Sequence, residues 1–325
     1  MEASVQIEIS ALPAPNLLHC KNERAWTMKS PLHRVLVLHL MGIFTGDNQV
    51  SHSSSPRQDR FLGNELKLDM ALNSFDDQYE GCEQMMEKKI AQLNQTELLK
   101  NKIYANAWKL AANLRDDSKW PRNLKPEYAA AIMAYTFEDP KLYPDFNAAV
   151  REAGKSKEHY RNNFNFKTFH FLLTRALQAL RISNTPSPPC YKVFRGVRNI
   201  NFSATVDDTV RFGQFASSSR QEGIAQCFTK VGQPVAKTIF EIYTCHGVLI
   251  REFSDMPIED EVLIPPYEQF RVVSSRKDEN GTTRIQLRSA GKFSKYNCAS
   301  GGNYEDDAVD QGSPNVLDQW EHFEF

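Results

Sequence analysis

The chain has 325 residues, 41% of them apolar and 24% charged, and its formal net charge is −1. This length allows one large domain or two small ones, and the composition is ordinary for a globular protein. Because the chain has neither an excess of positive charge nor a basic stripe interleaved with aromatic residues, we expect no nucleic-acid partner.

An apolar stretch near the start of the chain has the pattern of a secretory signal. Residues 28–34 carry the positive charges of Lys29 and Arg34 and precede a mostly apolar run, 35–44, which is too short to span a membrane comfortably. The run could also be an ordinary buried element, but the polar, serine-rich sequence directly after it favours a leader. We therefore predict a signal peptide over 28–48, preceded by an extension, 1–27, to which the sequence assigns no role.

Further features indicate an extracellular protein. Acceptors for N-linked glycans occur at Asn94, Asn201 and Asn280. The last residues, 317–325, are acidic and aromatic, whereas a lipid-anchor signal ends in a hydrophobic tail. We therefore expect a monomer with no transmembrane segment that is released into the medium, with attachment to the cell surface as the alternative.

The cysteines show no metal-binding spacing. The chain has six, and none lies in a C-x-x-C pair, so a zinc finger is not predicted and we expect no bound metal. Cys20 precedes the predicted leader and would be removed with it. The odd number that remains implies that at least one cysteine stays free or bridges to another chain.

Beyond a flexible polar lead-in, 49–65, the sequence predicts a folded domain over 66–298 and a flexible polar tail over 299–325. The first half of the domain, 66–189, is predicted to be mainly helical. Helices are predicted over 82–93, 96–114, 127–137 and 165–181. The last of these has apolar residues at every third or fourth position, and we assign that stripe to the core.

The second half of the domain, 190–298, is predicted to be mainly β, because prolines at 186, 188 and 189 end the helical pattern. Strands are predicted over 191–197, 209–217, 235–253, 261–273 and 283–287, and the third of these ranges is expected to hold two strands that turn near His246 and Gly247. Helices followed by strands indicate an α+β fold rather than alternating βαβ units. The chain has no G-x-G-x-x-G dinucleotide-binding loop.

Three short segments of the β half carry groups that can do chemistry. Arg195 lies in an apolar strand, Ser217 opens a run of three serines, and the acidic run 259–261 precedes another apolar strand. Each segment alone has an ordinary interpretation as a salt-bridge partner, a loop or a solvated strand edge.

Together, in this order on consecutive β elements, the segments resemble the Arg–Ser–Glu-x-Glu signature of the vertebrate arginine-specific mono-ADP-ribosyltransferases. These are ectoenzymes related to bacterial ADP-ribosylating toxins. The segments 74–82, 134–136, 146–154 and 295–298 also resemble the family. The resemblance covers about 66–298 and implies an N-terminal helical subdomain packed on a C-terminal two-sheet β core of the ADP-ribosyltransferase type.

The resemblance implies transfer of ADP-ribose from NAD, as co-substrate, to arginine side chains of target proteins, with release of nicotinamide. Glu261 would stabilise the oxocarbenium-like transition state, and Ser217 would orient it by a hydrogen bond. Arg195 would pair with the pyrophosphate of NAD. Gly196 and Gln214 are the remaining positions expected to contact NAD.

The resemblance also implies how the acceptor is bound. Glu259 would bind the acceptor guanidinium and take its proton, and in an extended chain residues i and i+2 face the same side, so both glutamates would flank one site. Phe253 would either stack on the acceptor or belong to the core. The implied disulfides are Cys82–Cys298 and Cys190–Cys245. This pairing leaves Cys227 over.

Two other functions stay open at this point. The same fold could use water as acceptor and act as an NAD glycohydrolase, or it could serve as a non-enzymatic secreted binding domain. Glu259 favours arginine transfer, because water needs no carboxylate shaped to hold a guanidinium. The presence of Arg195, Ser217 and Glu261 argues against the non-enzymatic alternative.

Overall fold

The computed structural model describes residues 65–114, 124–184, 189–230 and 237–299. The predicted extension, the signal peptide and nearly all of the lead-in and the polar tail lie outside these ranges. The fold of the described residues is α+β, as predicted.

The helices of the first half surround an aromatic core. The described helices are α1 (Glu83–Lys100), α2 (Lys102–Leu114), α3 (Pro126–Thr136), α4 (Tyr143–Ala153), α5 (Lys157–Asn163), α6 (Lys167–Asn184) and, in the second half, α7 (Glu222–Lys230). The stripe predicted for 165–181 is buried in α6. Phe146 of α4 stacks on Phe215, just before the serine run, with ring centroids 5.5 Å apart.

The strands form one large and one small sheet. They are β1 (Glu65–Lys67), β2 (Tyr191–Arg198), β3 (Asn201–Ser203), β4 (Thr209–Val210), β5 (Ala216–Ser219), β6 (Lys237–Thr244), β7 (Val248–Leu249), β8 (Glu261–Ile264), β9 (Glu268–Lys277) and β10 (Thr283–Lys292). The large sheet has the order β4-β9-β10-β6-β2-β5-β8-β7, and β1 pairs with β3. Only β10–β6 and β1–β3 are parallel among these described pairs.

Several predicted element boundaries are wrong. The first two helices meet at Asn101 rather than at 94–95, and α4, α5 and α7 were not predicted. The strand predicted over 209–217 is two strands, because Gly213 takes a left-handed φ of 63° between them. The strand predicted over 261–273 is also two, since Pro265 and Pro266 interrupt it.

The two ends of the domain are tied together. Cys82 pairs with Cys298 and Cys190 with Cys245, the disulfides that the resemblance implied. Cys227 lies on α7, and no cysteine in the described ranges is free, so the structure gives no support to the expectation of a free thiol or intermolecular bridge.

The predicted glycan acceptors differ in their surroundings. Asn94 is only 7% exposed on α1, and its side-chain oxygen accepts a 2.7 Å hydrogen bond from the Tyr104 hydroxyl. A glycan there would need that contact to break. Asn201 is partly buried in β3, whereas Asn280 is exposed in the turn after β9 and stays a predicted acceptor. None of the described helices is long and apolar enough to cross a membrane.

Candidate active site

A cavity opens between the helical half and the large sheet. Its walls come from α3, α4, β2, β5, α7 and the segment that leads into β8. Arg195, Ser217, Glu259 and Glu261 all line it, as does Gly196. The four residues predicted to be catalytic are therefore brought to one place from three separate stretches of the β half.

Glu261 is the first residue of β8 and is only 5% exposed. Ser254 donates a 3.3 Å hydrogen bond to its Oε2 atom. Burial raises the pKa of the Glu261 carboxyl, and hydrogen bonding to Ser217 and Ser254 and the charge of Arg195 oppose that shift. The orienting role of Ser217 stays a prediction.

Arg195 reaches the same residues from β2. Its guanidinium donates a 2.6 Å hydrogen bond to the carbonyl oxygen of Ser217. Burial lowers the pKa of Arg195, while the neighbouring Tyr135 and Glu261 oppose the shift. One planar cation thus lies near one buried carboxylate.

Glu259 and Glu261 both line the cavity, but the prediction of an extended chain between them is wrong. Glu259 ends a short 3-10 turn that begins at Pro257, and Asp260 has a left-handed φ of 49°. The chain is therefore bent rather than extended between the two glutamates. The turn and the left-handed residue together bring both side chains to the cavity.

Three other residues that were predicted to belong to the site make structural contacts. Phe253 is 5% exposed and packs in the hydrophobic core, so we assign it to the core rather than to an acceptor site. Gln214 is not among the residues that line the cavity, and its side chain accepts a hydrogen bond from Arg151. Gly196 does line the cavity, but a Cβ atom there would lie 2.0 Å from the carbonyl oxygen of Ala225 on α7. The glycine is therefore also required for helix packing.

Sequence reasoning missed several lining residues. The Tyr135 hydroxyl donates to the carbonyl of Phe215 at 3.1 Å and accepts from Asn147 at 3.0 Å, and burial raises the pKa of Tyr135 to about 12. The resemblance of 134–136 to the family was the available signal. Phe228, 51% exposed on α7, also lines the cavity, and the sequence gave no signal for it because α7 was not predicted.

The site contains a cationic and an anionic side chain, which together suit a reaction whose transition state is positively charged. Arg195 can bind an anionic group such as a phosphate, and Glu261 can stabilise positive charge next to it. Glu259, which is partly exposed, can attract a second, cationic molecule from solvent. In the described ranges, no group of three or more His, Cys, Asp or Glu side chains is arranged to hold a metal ion.

The family model for NAD:arginine ADP-ribosyltransferases matches residues 68–295. The chain belongs to this family. Among its relatives, the human GPI-linked NAD(P)+–arginine ADP-ribosyltransferase 1 is 42% identical over 287 residues, which cover 83% of this chain and 85% of that protein. The chicken erythroblast NAD(P)+–arginine ADP-ribosyltransferase is 44% identical over 277 residues, with coverage of 83% and 87%.

Solved structures of the family share the fold. The crystal structure of the eukaryotic mono-ADP-ribosyltransferase ART2.2 superposes with a TM-score of 0.58 and 37% sequence identity, and the match covers 72% of this chain and 98% of that one. A variant of the same enzyme in complex with NAD gives a TM-score of 0.57. The similarity therefore spans nearly the whole of a folded family member.

Proposed function

We infer that this protein transfers ADP-ribose from NAD to arginine side chains of other proteins and releases nicotinamide. The observation that carries this conclusion is the meeting of Arg195, Ser217, Glu259 and Glu261 at one cavity of a chain that belongs to the arginine ADP-ribosyltransferase family. NAD is the co-substrate.

The first step breaks the bond between nicotinamide and ribose. The bonding electron pair leaves with nicotinamide, and positive charge develops on the ribose carbon, as it does in glycoside hydrolysis. The Glu261 carboxylate is buried and accepts a hydrogen bond from Ser254, so it is already oriented before the charge appears. A preoriented charge in a water-poor site stabilises a transition state more than a mobile one does.

Arg195 and the walls of the cavity bind NAD. A guanidinium has five N–H donors, and the bond from Arg195 to the Ser217 carbonyl uses one of its nitrogens. The others can pair with the pyrophosphate in the forked geometry that suits phosphate oxygens. Phe228 and Ile224 add an apolar wall on the side of α7.

The second step joins the ribose carbon to a guanidinium nitrogen of the acceptor. An arginine has a pKa above ~12 and arrives charged, so it must lose a proton as the new bond forms. Glu259 lines the cavity within two residues of Glu261 and is partly exposed. Its carboxylate can bind the acceptor by charge and take the proton.

A labelling experiment separates this function from the alternatives. The protein would be given NAD labelled in the adenylate part, with polyarginine as acceptor, and nicotinamide release would be followed in parallel. Label on polyarginine is the expected result. Free ADP-ribose alone would identify an NAD glycohydrolase, and no reaction at all would identify a non-enzymatic domain.

We further propose that the protein acts outside the cell. Relatives are named as GPI-linked enzymes and ecto-ADP-ribosyltransferases, and the two disulfides of the described chain suit an oxidising compartment. Release into the medium is the narrower proposal. Expression in secretory cells tests it, because protein that stays on the surface until a phospholipase releases it would contradict it.

A further inference from the structure

Asp260, the residue between the two glutamates, forms an ion pair with Arg220 outside the cavity. Asp260 has left-handed backbone angles, φ 49° and ψ 51°, which are disfavoured for a residue with a Cβ atom, although aspartate tolerates them better than most. Arg220, directly after β5, donates to both of its carboxylate oxygens, from Nε at 2.7 Å and from a terminal nitrogen at 2.9 Å. Neither residue lines the cavity.

The ion pair is part of a larger connection between two segments. The Ser219 hydroxyl donates to the carbonyl of Glu259 at 2.6 Å, and the Gln221 side chain donates to the carbonyl of Ile258 at 3.3 Å. The backbone N–H of Arg220 also bonds to the carbonyl of Asp260 at 3.3 Å. We call these contacts between 219–221 and 258–260 the corner clamp.

The corner clamp affects the two glutamates differently. Glu261 is buried at the start of β8, pairs in register with Ser219 of β5, and has its carboxylate hydrogen-bonded by Ser254. Its position is thus determined by the sheet as well. Glu259 lies on the 3-10 turn outside the sheet, and the clamp acts directly on its backbone. Loosening the clamp should therefore move Glu259 relative to a fixed Glu261.

We propose that Arg220 and Asp260 are positioning residues that set Glu259 against Glu261 for transfer to the acceptor, an inference that rests on the proposed function. Arg251 approaches the same carboxylate at 3.8 Å and adds a weaker attraction. The pair therefore determines how much ADP-ribose reaches arginine and how much reaches water.

The test compares Arg220→Ala, Arg220→Lys and Asp260→Gly with the wild type. Arginine labelling and acceptor-free NAD hydrolysis are measured for each, with the KM for the acceptor. Because misplacing a reacting group by about 1 Å can cost up to ~100-fold, we expect the transfer-to-hydrolysis ratio of Arg220→Ala to fall on the order of tenfold. Lysine, which cannot make the forked contact, should give an intermediate ratio.

A matched control exists on β9. Arg271 and Asp207 form an exposed arginine–aspartate pair, in which Nε at 2.9 Å and a terminal nitrogen at 2.7 Å approach the same carboxylate oxygen, and neither residue lines the cavity. Arg271→Ala should leave the ratio unchanged. Asp260→Gly removes the ion pair but relieves the backbone strain, so a low ratio in a stable variant would exclude a general folding defect. The double variant Arg220→Ala/Asp260→Gly should be no worse than either single one.

The outcomes distinguish this inference from the proposed function. If the wild type labels polyarginine but Arg220→Ala and Asp260→Gly keep its ratio, or lose both activities equally, the positioning role is wrong and the function stands. If the wild type cleaves NAD without labelling polyarginine, the proposed function is wrong, and the inference is overturned with it.

Discussion

At the scale of single residues, the surroundings of Glu261 explain how a buried carboxylate can still be ionised. Burial alone would favour its protonated form. The hydrogen bonds from Ser217 and Ser254 and the charge of Arg195 favour the ionised form that the reaction needs. The net effect is a carboxyl whose pKa is raised above the ordinary glutamate value.

This balance predicts the pH dependence of NAD cleavage. Activity requires ionised Glu261, so it should rise as pH rises through the elevated pKa, and fall below it. Ser254→Ala removes a hydrogen bond that favours the ionised form, so the acidic limb of kcat/KM for NAD should move to higher pH. The control is Ser274→Ala, whose hydroxyl donates to Gln286 on the sheet. An acidic limb that stays in place or moves to lower pH in Ser254→Ala would refute this role.

The sequence predicted that Arg195, Ser217, Glu259 and Glu261 share one site, and all four line the cavity, but the sequence did not predict their geometry. The order of Arg195, Ser217 and the acidic run was enough to indicate the family. Asp260 has left-handed angles and pairs with Arg220, forty positions away. A contact of that kind leaves no periodic pattern in the sequence, so an extended chain was the wrong expectation.

At the scale of elements, the predictions succeeded where a pattern was long. The stripe of α6 spans several turns, whereas α5 and α7 are short, and their tertiary contacts stabilise them more than their local sequence does. The ranges 209–217 and 261–273, each predicted as one strand, contain Gly213 and Pro265–Pro266 in the breaks between the strands. A glycine or proline inside an apolar run marks a break more reliably than the run marks a continuous strand.

The contact between α7 and β2 yields a prediction about Gly196. In Gly196→Ala the new methyl group would meet the Ala225 carbonyl, 2.0 Å away, and backbone must move. We expect the free energy of unfolding in urea to fall by about 1–3 kcal/mol, as for other overpacked sites. The KM for NAD should rise, because Ala225 and Phe228 form that wall of the cavity.

Gly281→Ala serves as the control for this prediction. It lies in the turn after β9, where an added Cβ meets no atom within 4 Å, although its φ of 75° is unfavourable for alanine. It should lose about 1 kcal/mol of stability and keep its KM for NAD. A Gly196→Ala variant with unchanged stability and KM would show that α7 does not press on β2 as described.

At the scale of the whole molecule, the start and end of the domain are held by a buried network as well as a disulfide. Asp76 and Arg211 are fully buried and 2.5 Å apart, and Asp76 also accepts backbone hydrogen bonds from Lys295 and Tyr296. The Cys82–Cys298 disulfide lies at the same junction and spans 216 residues of sequence.

Removing that disulfide should therefore lower stability without removing activity. Chain-entropy arguments give a loss of about 5 kcal/mol for a loop of this length. Cys82→Ser/Cys298→Ser should unfold at lower urea concentration, yet its folded fraction should cleave NAD at the wild-type rate, because neither cysteine lines the cavity. Unchanged stability would contradict this chain-entropy argument.

The central claim is that the two glutamates divide the reaction between them, and one measurement tests it most directly. Nicotinamide release and arginine labelling are followed side by side in Glu261→Gln and Glu259→Gln. Loss of the charge at Glu261 should slow both activities on the order of a thousandfold. Glu259→Gln should lose arginine labelling while nicotinamide release without acceptor largely survives and the KM for NAD changes little. Equal loss of both activities in Glu259→Gln would contradict the account.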